Sequence, residues 1–263
     1  MKTEGQKLLY LDIENTAHEG WSYDVFFKNG GRMAGIKIPA HLISIQYQWE
    51  GEDKVHVKSL RMFPTFKDDY RDDYLLAKHA HDLIDKADIV VAFNGKGHDI
   101  PFLNWRFMVH KMKAPSPYKV VDPYQVRKSL IKNKSPGNSL RAVAEEQGYT
   151  AKLDSVGWPI WQKCVDDRVS KRERLDAYRE IEIYGGGDIA PLRQAYLDIR
   201  GWMPNHPKDH TKTNDSTAPI CKMPHCDGKC IWRGYITKKG GKKERRFQCK
   251  ECGSYDQVPV PKD

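Results

Sequence analysis

Two carboxylates lie two residues apart in the segment LLYLDIENT, residues 8–16. The apolar residues around them predict a buried strand, yet Asp12 and Glu14 interrupt the apolar run. Because side chains alternate along a strand, both carboxylates point to the same face. Like charges this close repel each other, and burying either one without a partner is unfavourable. The segment therefore indicates a site that holds a cation.

Two later segments supply further acidic side chains beside apolar runs. FNGKGHDIPFL places Asp99 at the start of a predicted helix, just after a strand that ends near Asn94. YGGGDIAPL places Asp188 near another helix start, four residues after Tyr184. Hard divalent cations such as Mg²⁺ bind through carboxylate oxygens together with water and substrate phosphate. Two such ions about 4 Å apart can activate a water and stabilise the leaving oxygen of a phosphodiester.

A purely structural explanation of these carboxylates also exists. Asp99 and Asp188 each precede a helical pattern, where aspartate is a common N-cap, and Glu14 could pair with a lysine or arginine. A cap explains neither Asp12 nor the spacing between Tyr184 and the following aspartate. The set as a whole therefore favours a metal-dependent nuclease.

The segments LDIE, NGKGHDIPFL and YGGGD resemble, in this order, the three motifs of the RNase H-like 3′–5′ exonucleases. The resemblance is to the DEDD group, in the branch that carries tyrosine in its third motif and to which polymerase proofreading domains belong. It extends to small phage-type exonucleases that end in a zinc ribbon. The resemblance implies phosphodiester hydrolysis from a 3′ end with two Mg²⁺ or Mn²⁺ ions.

The resemblance also implies a role for each residue. Asp12, Glu14 and Asp188 would hold the ion that binds the attacking water, and Asp12 with Asp99 would complete the second metal site. Tyr184 would orient that water. The main chain around Asn15 and Thr16 would meet the 3′-terminal nucleotide, and Asn94 would support the strand-to-helix turn or contact the substrate backbone. Lys96, beside the second motif, is a candidate phosphate contact or a solvated surface residue.

Two positions depart from the family pattern. His98 precedes Asp99 where an aromatic residue is usual, and we expect it to pack in place of that residue, with a substrate contact as the alternative. Three glycines follow Tyr184, and because glycine weakens a helix by ~1 kcal/mol relative to alanine, we expect a soft or non-helical segment there.

Arg106, beyond the second motif, is a candidate phosphate contact or a solvated surface residue.

Five of the six cysteines fall between residues 221 and 252. CKMPHC and CKEC flank a segment that reads as a hairpin with its turn at Gly240 and Gly241, an arrangement typical of a tetrahedral zinc ribbon. Cys226 with Cys230 is an alternative first pair, and His225 is a more remote ligand. The preferred ligands of one structural Zn²⁺ are Cys221, Cys226, Cys249 and Cys252.

Residues 221–263 carry eleven Lys or Arg against five Asp or Glu, whereas the whole chain has a net charge of +9. Aromatic residues alternate with these charges, which favours salt-sensitive binding to nucleic acid, although a solvated basic hairpin is the alternative. The basic residues of the hairpin are Arg233, Lys238, Lys239, Lys242, Lys243, Arg245 and Arg246.

The remaining patterns predict an α/β fold, a mixed sheet flanked by helices, and the resemblance implies that this sheet is RNase H-like. Expected strands cover about 7–13, 42–49, 54–60, 88–95 and 119–122, and expected helices about 67–86, 99–112, 123–132, 138–147, 170–183 and 187–200. We expect a nuclease domain at 1–203, a polar linker at 204–219 and a zinc ribbon at 220–263.

The chain of 263 residues is 39% hydrophobic and 30% charged, with no apolar run long enough to span a bilayer and no signal-peptide core. We therefore expect no membrane partner and a cytoplasmic location, the host cytoplasm if a phage encodes the chain. Single-stranded DNA is the preferred substrate and RNA the alternative. Replication or repair proteins are expected partners in trans.

Two rival functions fit the same residues. One is a structure-selective endonuclease or a transposase-like nuclease on the same fold. The other is a nucleic-acid-binding protein whose nuclease site has decayed, as the three glycines after Tyr184 would suggest.

Overall fold

The computed structural model describes residues 6–22, 33–132, 134–149, 157–203, 205–208, 219–238 and 240–260. A five-stranded mixed sheet forms the centre of the larger domain, with the strand order β5-β4-β1-β6-β7. β1 pairs antiparallel with β4 and parallel with β6. In chain order the strands of this domain are β1 (Leu8–Asn15), β2 (Glu19–Trp21), β3 (Gly35–Ile38), β4 (Leu42–Trp49), β5 (His56–Ser59), β6 (Ile89–Val91) and β7 (Lys119–Val121), and β2 and β3 form a separate hairpin.

Helices pack on both faces of the sheet. Short 3₁₀ turns at Leu60–Met62, Pro64–Lys67 and Arg200–Trp202 add to them. The α-helices are α1 (Tyr74–Lys86), α2 (Asp99–Val109), α3 (Pro123–Ile131), α4 (Leu140–Gln147), α5 (Trp158–Val165), α6 (Lys171–Gly186) and α7 (Ile189–Ile199).

The alternation of β1 side chains builds two cores. Leu9 and Leu11 pack with apolar residues of α1 and α2 on one face of the sheet. Leu8 and Tyr10 pack with residues of α7 on the other face. Asp12 and Glu14 continue the second face because they follow Tyr10 at the period of two. The first half of β1 is thus fixed by burial, and its second half carries the acidic pair toward α7.

Most predicted elements are confirmed, including the antiparallel pairing of β4 with β5. The predicted helix at 67–86 begins instead at Tyr74. Its expected first turn is interrupted because Asp69 accepts a hydrogen bond from the Arg71 backbone N–H (2.9 Å) and Asp72 accepts one from that of Tyr74 (3.0 Å). β2, β3 and α5 were not predicted from the sequence.

The C-terminal domain is a three-stranded antiparallel sheet with the order β10-β9-β8. Gly240 and Gly241 both have positive φ at the tip between β8 and β9, as the predicted turn requires. Its strands are β8 (Cys230–Thr237), β9 (Lys243–Cys249) and β10 (Tyr255–Pro259). This small sheet and its cysteines fit a zinc ribbon.

The small sheet packs against the end of the larger domain that lies away from the acidic half of β1. His225 Nε2 lies 2.8 Å from the carbonyl oxygen of Gln6, which precedes β1. A Cβ on Gly201 would lie 2.0 Å from the carbonyl oxygen of Cys252, so only glycine permits this contact.

Of the predicted linker at 204–219, residues 204 and 209–218 lie outside the described residues. The described part includes His206, which is buried and whose Nε2 is 2.9 Å from the Tyr196 hydroxyl. Within the described parts of the chain, no helix combines the length and apolarity that crossing a membrane needs.

Candidate active site and cysteine cluster

The acidic pair of β1 lies at the carboxyl end of the strand. Asp12 is directly opposite Gln46 of β4, and Glu14 is opposite Ser44. The register shifts between Glu14 and Asn15, a local irregularity that redirects the strand end. The side chains of cross-strand partners share one face of a sheet, so a polar patch continues the apolar core at this end.

The junction of α6 and α7 brings the third motif to the same place. The segment after Tyr184 was expected to be soft or non-helical, but Gly185 and Gly186 are helical, because α6 continues to Gly186 and ends before Gly187. Gly185 lies against the buried side chain of Gln46, and a Cβ there would be 2.4 Å from Gln46 Nε2. The glycine therefore permits close contact between α6 and β4, and this contact offsets its weak helix propensity.

Three carboxylates converge where these elements meet. Asp12, Glu14 and Asp188 each present an oxygen, and the three oxygens lie within 4.8 Å of one another. Asp188 occupies the N-cap position of α7, but its side chain forms no capping hydrogen bond there. Helix capping alone therefore does not account for its position.

Asp99 lies beside this acidic triad but is not within the same 4.8 Å group. It is the first residue of α2, and its Oδ1 accepts a hydrogen bond from the backbone N–H of Ile13 at 3.2 Å. Burial raises the pKa of Asp99 to about 7, the nearby Asp122 carboxylate adds to the rise, and the backbone donors oppose it. The second motif thus reaches β1 between its two carboxylates.

Asp122 is a buried carboxylate that the sequence analysis missed. Its oxygens accept hydrogen bonds from the backbone N–H groups of Asn94 (2.9 Å) and Lys96 (3.1 Å), and it also caps α3 through Gln125 N at 3.3 Å. Burial raises its pKa, and these backbone donors oppose the rise. The order aspartate–proline after strand β7 is a helix-start signal that could have identified it.

Asn94 shapes the turn that leads into α2. Its φ is 60°, a left-handed conformation that asparagine tolerates well, and its carbonyl accepts from the N–H groups of Gly97 (2.9 Å) and His98 (3.0 Å). Lys96 projects from the same turn and is exposed. The hydrogen bonds to Asp122 therefore hold this turn in place, and the Lys96 side chain faces solvent.

The segment after Glu14 forms one wall of a shallow cavity of about 430 Å³. Thr16 is buried, and its Oγ1 accepts a hydrogen bond from the His41 backbone N–H at 2.9 Å. Asn15 Oδ1 lies 2.9 Å from His98 Nε2. His98 is exposed, so the expectation that it packs in place of an aromatic residue is wrong.

Tyr184 and Arg106 differ in their relation to this region. The ring of Tyr184 packs edge-on against Trp161 of α5, with ring centroids 5.8 Å apart. Arg106 is buried and binds both oxygens of Asp73 at 2.6 and 2.7 Å. Both predictions for Arg106 are therefore wrong, since it is neither a phosphate contact nor a solvated surface residue.

The acidic triad has the chemistry of a hard-cation site. Carboxylate oxygens are the ligands that Mg²⁺ and Mn²⁺ prefer, and a cation would relieve the repulsion among three clustered acids. The set therefore fits a divalent metal.

The four cysteines expected to hold zinc come together in the small domain. Sγ atoms of Cys221 and Cys252 are 3.5 Å apart, and those of Cys226 and Cys249 are 3.8 Å apart. Tetrahedral zinc with Zn–S bonds of about 2.3 Å separates its sulfurs by about 3.8 Å. The hydrogen bond between Cys221 and Cys252 lowers the pKa of the Cys252 thiol, which favours the thiolate form that binds zinc. The spacing fits zinc.

The alternative ligands are not part of this four-cysteine group, although Cys230 packs against it. The four-cysteine group does not include Cys230, whose thiol is 3.8 Å from the Gly228 carbonyl oxygen. His225 contacts the main chain of Gln6 instead of the cluster.

The basic hairpin has its charges on β8, β9 and their turn. The Arg245 guanidinium lies 4.0 Å from the Trp232 ring centroid, and Trp232 packs edge-on against the buried Phe247. Lys242 and Lys243 are exposed, whereas Arg246 is half-buried. Lys239 lies outside the described residues. The hairpin therefore offers cations to solvent while its aromatic residues partly support the sheet.

Comparison with known proteins gives matches of two kinds. The family model described as RNase_H superfamily matches residues 42–158, a range that contains the second motif and lies between the other two. A solved structure, the family B DNA polymerase from the hyperthermophilic archaeon Pyrobaculum calidifontis, is similar with 18% identity and a TM-score of 0.48. That similarity covers 74% of this chain and 25% of the polymerase chain, so the chain spans about a quarter of the polymerase. No curated protein matches the sequence.

The fold is RNase H-like: a mixed five-stranded sheet with helices on both faces, followed by a small domain that fits a zinc ribbon. This fold and the superfamily match support a nuclease that acts on nucleic acid.

Proposed function

We propose that this protein is a metal-dependent 3′–5′ exonuclease that removes nucleotides from single-stranded DNA. The observation that carries the proposal is the convergence of Asp12, Glu14 and Asp188 within 4.8 Å on an RNase H-like sheet. The three residues come from segments far apart in the sequence, and carboxylates this close repel one another, a repulsion that a divalent cation would relieve.

In this proposal, the carboxylates bind the metal ions and Tyr184 positions the attacking water. The acidic triad would hold one divalent ion, and Asp12 with Asp99 would hold a second. Bound at these carboxylates, the ions supply activation of a water and stabilisation of the leaving oxygen. Tyr184, braced by Trp161, orients the attacking water.

Other groups would hold the strand. The main chain at Asn15 and Thr16 borders the cavity next to Glu14 and suits the 3′-terminal nucleotide. Asn94 shapes the turn from which Lys96 projects, and Lys96 would meet a phosphate.

The zinc ribbon would tether the nucleic acid outside the active site. Its exposed cations favour phosphate contacts with little sequence preference. The residues proposed for this contact are Lys242, Lys243, Arg245 and Arg246.

The test uses a 5′-labelled single-stranded oligonucleotide with Mg²⁺ or Mn²⁺. Wild-type protein should produce a ladder that shortens from the 3′ end, and Asp12→Ala should produce none. Asp53→Ala is the matched control, because this exposed aspartate lies in the β4–β5 turn at the other end of β1. Metal should be omitted rather than chelated, since a chelator would also extract zinc.

The rival functions give different results in the same experiment. Cleavage of a closed single-stranded circle would replace the exonuclease proposal with an endonuclease. Binding that is equal in wild type and Asp12→Ala, with no cleavage by either, would establish a decayed nuclease site.

A further inference from the structure

Two cavities lie side by side next to the acidic triad. The first, of about 430 Å³, is lined by Glu14, Asn15 and His98 among others. The second, of about 420 Å³, extends away from it toward Lys37 and Arg168. They share three lining residues: Ala17, Trp158 and Trp161. We refer to the two together as the aromatic groove.

The shared wall comes from α5. Trp158 and Trp161 are three residues apart on this helix and therefore lie on one side of it. Trp158 is 57% exposed, although a large aromatic ring normally gains by burial. Trp161 is half-buried and packs against Tyr184, so the groove is in direct contact with the third motif.

The charged side chains of the second cavity are already in ion pairs. Lys37 Nζ is 3.1 Å from Glu19, and Arg168 binds both oxygens of Asp166 at 2.7 and 2.9 Å. Asp167, also in the wall, pairs with Arg71 at 2.6 Å. Both of the cations lining the second cavity have carboxylate partners, so the groove is poorly suited to phosphate and better suited to the uncharged faces of bases.

We propose that the aromatic groove is a stacking subsite for unpaired bases of the substrate strand, with Trp158 as the ring on which a base stacks. The inference rests on the proposed nuclease function and deepens it. Trp161 is a positioning residue that holds Tyr184 while forming the groove wall. Because the faces of bases inside a duplex are covered by the neighbouring base pairs, the groove selects single strands over duplexes.

The binding test keeps cleavage out of the measurement. All variants are made in the Asp12→Ala background, and the affinity for a fluorescent oligothymidylate is measured by anisotropy over a range of salt. Trp158→Ala should weaken binding about fivefold or more, Trp158→Phe should retain most of the affinity, and the salt dependence should stay unchanged. Trp202→Ala, which removes an exposed tryptophan at the far end of α7, should bind normally.

A kinetic test separates the two tryptophans. Here the variants retain Asp12, so cleavage can be measured. Trp158→Ala should raise KM with little change in kcat, because it weakens substrate binding. Trp161→Ala should lower kcat, because Tyr184 loses the ring that holds it in place. Equal oligonucleotide binding by the Asp12→Ala protein with and without Trp158→Ala would overturn the inference. So would an equal loss in Trp202→Ala, or binding of a proline-rich peptide in place of the oligonucleotide.

The outcomes also distinguish this inference from the proposed function. Loss of oligonucleotide binding in Trp158→Ala, with no cleavage by the wild type, would support the subsite and refute the nuclease. Cleavage by the wild type that Trp158→Ala leaves unchanged would support the nuclease and refute the subsite.

Discussion

Replacing Gly185 by alanine tests whether the glycines of the third motif serve packing. The new Cβ would lie 2.4 Å from Gln46 Nε2 and 2.6 Å from its Cδ. The end of a flexible side chain could normally move away, but Gln46 is fully buried and its Nε2 donates to Ser44 Oγ at 2.6 Å. The substitution must therefore either break this hydrogen bond or push α6 away from β4.

The expected magnitude follows from two opposing terms. Overpacking of a buried contact costs about 1–3 kcal/mol, while alanine improves helix propensity by about 1 kcal/mol. We expect the free energy of unfolding of Gly185→Ala to fall by up to about 2 kcal/mol, or up to about 8 °C in Tm for a chain of this size. Because Gln46 faces Asp12 across the β1–β4 pair, cleavage should fall as well.

Gly186→Ala is the matched control. Its Cβ would meet only Val57 Cγ2, at 3.2 Å, so a small shift restores ordinary contact and the gain in helix propensity largely remains. Thermal unfolding and oligonucleotide cleavage of both variants form the assay. If Gly185→Ala is as stable and active as Gly186→Ala, the packing argument is refuted. The three glycines would then again favour the rival interpretation of a decayed nuclease site.

Three further predictions concern the supports of the site and the fold. Cys249→Ser should lose stoichiometric zinc by elemental analysis while Cys230→Ser retains it, and the reverse result would show that the ligand set is wrong. Asp122→Ala should destabilise the protein by about 1–3 kcal/mol in chemical unfolding and reduce cleavage, because two backbone N–H groups of the second-motif turn lose their acceptor; an unchanged unfolding curve would contradict this. Burial opposes ionisation of Asp73, yet its hydrogen bonds from Arg106 hold its pKa below the ordinary value. The stability from this pair is therefore present above about pH 4 and lost as the pH falls further, so Tm should drop there in wild type and less in Asp73→Asn.

The elements of the sheet could be predicted because their signals are local. The continuous apolar run at Leu42–Trp49 and the acidic interruption of β1 both follow from the period of two, and the structure places them as expected. In contrast, α5 was missed because WPIWQKCV is a short apolar segment with proline at its second position, which periodicity alone cannot assign. The two short strands β2 and β3 offer no clear alternation.

The helix through Gly185 shows where local reasoning fails. Propensity considers the residue within its own helix, whereas the position is decided by Gln46 on a strand that lies far away in the sequence. Arg106 was misjudged for the same reason, since its partner Asp73 lies on another element and holds it in the core.

The sequence by itself determined the chemical types available to this protein: four carboxylates in three ordered motifs, and cysteines spaced for zinc. Such features are encoded in residue identity and short spacing. Only the tertiary structure decided that three of those carboxylates share one point, that Asp122 supports the turn of the second motif, and that Trp158 is exposed in a groove beside them. The physical reason is that convergence, burial and exposure depend on how distant elements pack, and packing is set by contacts across the chain rather than along it.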